Sequence, residues 1–142
     1  MHDPFFLMDK VVDRLYDEYK QHGEIIIAFD FDYTVHNFRE EDDYTYELVI
    51  EMLQRWQPYA KLVVFTASPE SRYPYIADYL TQNDIPFDAI NEDVLSRKGE
   101  PTRKIYYNIF LDDRAGLDST YIALEKLYNK LEARGELKTW RE

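Results

Sequence analysis

Hydrophobic positions in this chain fall into spaced stripes and short unbroken runs that alternate from one end to the other. Val11, Leu15 and Tyr19 recur every four residues, which predicts a helix begun at Asp3-Pro4, running to about 22 and stopped by Gly23. The next apolar stretch has no helical period. Ile25-Ile26-Ile27-Ala28 is continuous and β-branched, as in an interior strand of a parallel sheet covered by helices on each side, and the strand is predicted over 24–30. An acidic loop over 31–43 follows, with Asp42 or Asp43 placed to cap a helix over 44–57 that buries Leu48, Met52 and Trp56 and ends at Pro58.

The alternation continues. Residues 61–66 read as a second strand ending in Thr66, and Ser68-Pro69 as a turn. A third helix is predicted over 72–83, capped by Ser71, with Pro74 in its first turn and Ile76 and Leu80 facing the sheet. A short strand over 86–90 and a polar loop over 91–103 lead to a fourth strand over 105–111. Asp118 or Ser119 would cap a last helix to about 134, with Leu124, Leu127, Tyr128 and Leu131 inward, Gly135 as its stop and Trp140 docking behind it. Strands alternating with helices predict an α/β fold, a doubly wound three-layer sandwich around a mostly parallel sheet, in a single domain over 1–142.

Composition narrows the partners. The 28 acidic and 17 basic residues give a formal charge of -11, which disfavours nucleic acid and anionic lipid. Without cysteine, disulfides, thiolate metal sites and cysteine nucleophiles are excluded. No window has the length and apolarity of a membrane span, and the first residues lack the basic start of a signal peptide, so the chain reads as soluble and cytoplasmic.

The chemistry gathers where strands end. Ligands of open parallel sheets bind at the carboxyl ends of the strands, and here Asp30 and Asp32 stand at the end of the first strand. Two carboxylates about 4 Å apart repel by roughly 4 kcal/mol at an effective dielectric near 20, so the pair calls for a cation. Thr66 ends the second strand, Lys104 precedes the fourth, and Asp112-Asp113 end it.

In that order, Asp30-Phe31-Asp32-Tyr33-Thr34, Thr66, Lys104 and Asp112-Asp113 resemble the haloacid dehalogenase superfamily, over the chain from about residue 24 to the last helix. The resemblance implies a magnesium-dependent phosphatase, a phosphoric monoester hydrolase acting through an aspartyl-phosphate. By the same resemblance Asp30 is the nucleophile, and Asp32 is the general acid and then base whose carbonyl also meets the metal. Asp112 completes the magnesium shell, and Asp113 joins it directly or through water. Thr66 and Lys104 bind the substrate phosphate, and Thr34 steadies the loop. Lys98 is a second candidate for the lysine. Tyr33 departs from the glycine common in that place. The intervals 34–61 and 66–104 leave no room for a cap domain, which implies an open site suited to a large substrate, or to a small one covered by a second subunit or by the loop over 91–103.

Other residues near the motifs have ordinary readings. His36 is read as a loop histidine. Arg72, Arg103 and Arg114 flank the expected mouth and could meet a second anionic group, or be surface arginines. The alternatives from other classes are a phospho-accepting signalling domain and a metal-dependent nuclease. The substrate itself is not readable.

Overall fold

A computed structural model describes residues 5–37, 44–96 and 104–140, with the side chains of residues 5 and 45 left aside. Its elements run α1 (Phe5–His22), β1 (Ile26–Asp30), α2 (Tyr44–Trp56), β2 (Lys61–Phe65), a 3-10 turn (Glu70–Arg72), α3 (Tyr73–Gln82), β3 (Ala89–Ile90), β4 (Ile109–Leu111) and α4 (Leu117–Ala133). The four strands form one sheet in the order β3-β2-β1-β4, and every pairing is parallel. This is an α/β fold with β1 in the interior, as its unbroken apolar run requires.

Strand alternation divides the sheet into two faces. Ile27 and Phe29 of β1, Leu62 and Val64 of β2, and Ile109 and Leu111 of β4 share one face, and the buried residues of all four helices join them in one core. Leu15, Tyr19, Met52, Trp56, Ile76, Leu80, Leu124 and Leu131 belong to its helical half. The opposite face carries Ile26, Ala28 and Val63, which are equally buried but outside that core. It is overlaid by chain segments rather than by a described helix. Lys61 reaches the Val94 carbonyl from this face, and Phe65 packs against Tyr107.

The expected sandwich therefore has one helical layer among the described residues. A right-handed return from β3 to β4 must cross the face opposite to α2 and α3, and the connection that makes it carries Gly99 and Pro101, poor helix formers. Among the described residues of that connection, 91–96 and 104–108, there is no helix.

Element ends differ from the pattern for local reasons. The fourth strand is shorter than 105–111 because the Asn108 side chain enters the ladder: its Oδ1 accepts the Ile26 N–H at 2.6 Å while its own N–H donates to the Ile26 carbonyl at 2.8 Å. In α2 the inward face is Val49, Met52, Leu53 and Trp56, with Leu48 only partly covered. The last helix starts at Leu117 after Gly116 in the left-handed region (φ 69°), and Asp118 accepts the Ser119 N–H instead of capping. Ser71 lies in the 3-10 turn, so α3 starts two residues later with Pro74 in its first turn. The caps expected at Asp3, Asp42 and Asp43 lie outside the described residues. Trp140 does dock, its indole N–H donating to the Ala60 carbonyl at 2.8 Å. Among the described residues no helix is long and apolar enough to cross a membrane.

Candidate functional site

Register brings the acids together. Phe29 pairs with Leu111 across the parallel β1–β4 ladder, so the next residue on each strand, Asp30 and Asp112, emerge side by side at the carboxyl edge. One carboxylate oxygen each from Asp30, Asp112 and Asp113 lie within 4.8 Å of one another. Donors of an octahedral magnesium at about 2.1 Å stand roughly 3 to 4.2 Å apart, so these oxygens need only side-chain adjustment to share such an ion. The donor set is all carboxylate oxygen, the chemistry a hard divalent cation prefers.

Asp30 is half-buried and stands beside apolar neighbours as well as acids. It shares its face with Phe65 and Phe110, whose rings lie 5.1 Å apart, and Tyr107 closes the patch at 5.5 and 5.4 Å from them. Phe65 and Phe110 belong to the strands on either side of β1, and the small Ala28 between them leaves room for the rings to meet. Burial, then the charges of Asp112 and Asp113, push the Asp30 carboxyl up to about 7. Asp113 is raised too, by burial and by its contact with Asp112. Asp30 and Asp113, both resisting ionisation beside Asp112, form with it a site that a cation would relieve.

The loop after β1 is held closed around its own carbonyl. Phe31 O accepts the N–H groups of Thr34, Val35 and His36, and Tyr33 N–H returns to the His36 carbonyl at 3.0 Å. Closing the chain this tightly puts Tyr33 at φ 65°, a region glycine occupies without strain and a tyrosine does not. Thr34 is buried, and its hydroxyl accepts the Asp113 N–H at 3.2 Å. That single bond ties the loop holding Asp32 to the loop holding the paired acids.

Asp32 does not turn its carboxylate into the three-acid cluster. Its Oδ2 accepts Arg72 Nη1 at 3.0 Å, and its Oδ1 meets Arg72 Nη2 at 3.3 Å and His36 Nδ1 at 2.8 Å. Burial works to raise this carboxyl, but the hydrogen bonds from Arg72 and His36 outweigh it and hold Asp32 below the usual range. His36 is stacked on Phe31 with centroids 4.6 Å apart, and its Nε2 is 3.1 Å from the Tyr75 hydroxyl. His36 is thus a site residue that spacing alone did not select, and Arg72, read as an arginine flanking the mouth, is bonded to Asp32. His36 stands four residues after Asp32, a hint only if the loop is known to close on itself.

Thr66 follows β2 at the same edge. Its backbone is fixed by Asn91, which accepts the Thr66 N–H at 3.0 Å and donates to its carbonyl at 2.8 Å, while the Thr66 hydroxyl accepts the Ser68 N–H at 3.1 Å. Among the described residues no acceptor takes the proton of that hydroxyl. Lys104 is exposed, and its ammonium stands 5.8 Å from the centre of the Tyr107 ring, which puts it on the same face of the sheet as Asp30. Lys98 and Arg103 lie outside the described residues. Arg114 is exposed in the turn after Asp113, its N–H donating to Asp112 Oδ1 at 2.9 Å.

Set against family models, curated proteins and solved structures, the chain has no significant match in any of the three. The likeness to haloacid dehalogenases therefore rests on its residues, a parallel sheet and a cluster of aspartates at the edge where that likeness needs one.

Proposed function

We propose that the chain is a capless haloacid-dehalogenase-like phosphatase, a magnesium-dependent phosphomonoester hydrolase acting through an aspartyl-phosphate. The observation that carries this reading is the convergence of Asp30, Asp112 and Asp113 at the ends of adjacent parallel strands. Asp30, Asp112 and Asp113, with the Asp32 carbonyl, would hold the magnesium, which when bound neutralises charge on the transferring phosphoryl group.

The protein's own groups supply the rest. An oxygen of Asp30 attacks phosphorus as the bond to the leaving oxygen breaks, and water then attacks that phosphorus, returning Asp30 as carboxylate and releasing phosphate. The Thr66 hydroxyl donates to a phosphoryl oxygen, and Lys104 balances the charge of Asp30 and substrate. Asp32 takes the proton of the attacking water, a task for the ionised form in which Arg72 and His36 hold it. Donating a proton to the departing oxygen in the first step is harder from that form. Esters with acidic leaving groups, which depart without a proton, are therefore the better substrates.

The test is hydrolysis of an aryl phosphate by the native chain and by Asp30→Asn, with magnesium and with a chelator. Phosphate release that needs both the ion and Asp30 is expected. Undiminished release by Asp30→Asn would end the nucleophile assignment. Stable labelling of Asp30 by a small phosphodonor without turnover would instead favour a phospho-accepting domain.

A further inference from the structure

Arg72 is built into the edge of the site with more donors than the protein uses. A guanidinium offers five N–H donors in a rigid fork. Two of them hold Asp32 and a third meets the Ser68 hydroxyl at 2.7 Å. The remaining two have no acceptor among the described residues. The fork is also clamped from the sides, its carbon 5.6 Å from the ring centres of both Phe31 and Tyr75. Its side chain remains 29% exposed, so this pre-set group is open to solvent.

We propose that Arg72 forms a subsite for a second anionic group on the substrate, so that the site selects phosphate esters whose leaving group carries a carboxylate or another phosphate. The inference rests on the phosphatase reading for where the first phosphate lies. Topology places the subsite beside that position: Arg72 lies six residues past Thr66, in the turn leaving the carboxyl end of β2, and it bonds Asp32, two residues past Asp30. A guanidinium held in plane by Asp32 and Ser68 loses little freedom on meeting a planar carboxylate, the geometry for which a fork is better suited than an ammonium. Tyr75, half exposed and stacked beside Arg72, supplies a flat apolar wall for the part of the leaving group between the two anions.

A matched series tests this: the ortho, meta and para carboxyphenyl phosphates against the corresponding carboxamidophenyl phosphates, which differ in charge but not in shape. For native protein with magnesium, at least one isomer should show kcat/KM about tenfold higher for the acid than for the amide. In Arg72→Ala that ratio should fall about tenfold from its native value, and in Arg72→Lys by less, whatever happens to the rates themselves. A ratio that is the same in native protein and in Arg72→Ala for all three isomers overturns the subsite. Binding of the corresponding phenylphosphonates, followed by calorimetry, gives the same ratio without turnover. A preference there that vanishes in Arg72→Ala, with no ester hydrolysed, keeps the subsite and removes the phosphatase. Equal binding of acid and amide removes the subsite even if the esters are cleaved.

Discussion

Replacing Asp30 by asparagine removes a charge that burial and its acidic neighbours make costly and, in the absence of metal, should stabilise the fold. Its carboxyl rises from an ordinary 3.8 to about 7 because burial and the neighbouring Asp112 and Asp113 disfavour ionisation. Folding therefore favours the protonated form. Below about pH 4 both states are protonated and the term vanishes; as pH rises toward 7 the unfolded chain ionises first and stability is lost, and above pH 7 the loss is complete. A shift of this size corresponds to at most about 4 kcal/mol, and water still reaching the group reduces that to about 2 kcal/mol. The assay is urea unfolding of native protein and Asp30→Asn in chelator, at half-unit steps from pH 4 to pH 8. The stability difference should grow in favour of the variant across the interval and level off above pH 7. Titrating groups outside the cluster of Asp30, Asp112 and Asp113 cancel in the difference. A flat difference, or one that grows in favour of the native chain, would refute the idea that Asp30 is charged at a cost relieved only by a cation.

Three further outcomes follow from the same contacts. Magnesium at about 100 times its dissociation constant should stabilise the native chain by about 2.7 kcal/mol at pH 8, and Asp30→Asn or Asp112→Asn far less, which thermal unfolding with and without the ion will read. Arg72→Ala should cost about 1 kcal/mol at pH 7, because it removes the partner that depresses Asp32; a lowered carboxyl stabilises above its unfolded value, so the cost should fade as pH falls below about 4 in the same urea measurement. Asn108→Ala should cost about 2 kcal/mol by denaturant midpoint, since it leaves the buried Ile26 N–H without the acceptor that now sits at 2.6 Å.

Much of this architecture could be read from residue order alone. The unbroken run into Asp30 marks an interior parallel strand, and β1 is indeed flanked on both sides. Helix stripes such as Leu15 with Tyr19 and Leu124 with Leu131 mark the core, because periodicity is a property of the backbone and needs no knowledge of neighbours. Where strands end, and so where Asp30, Thr66 and Asp112 emerge, is legible for the same reason. The start of β4 was not, because Asn108 replaces a backbone partner by a side chain, a substitution with no periodic signature.

What the sequence determined by itself is the set of acids at one edge of an α/β sheet. Only the folded chain decided which of them face each other. Asp30 and Asp32 are two residues apart, yet the turn between them sends Asp30 to Asp112 and Asp113 and sends Asp32 to Arg72 and His36. The register of two strands and the closing of one loop make that choice, and both are set by pairings between segments about eighty residues apart. Local pattern carries no information about partners so distant, and for that reason the opposite shifts of the two aspartates appear only in three dimensions.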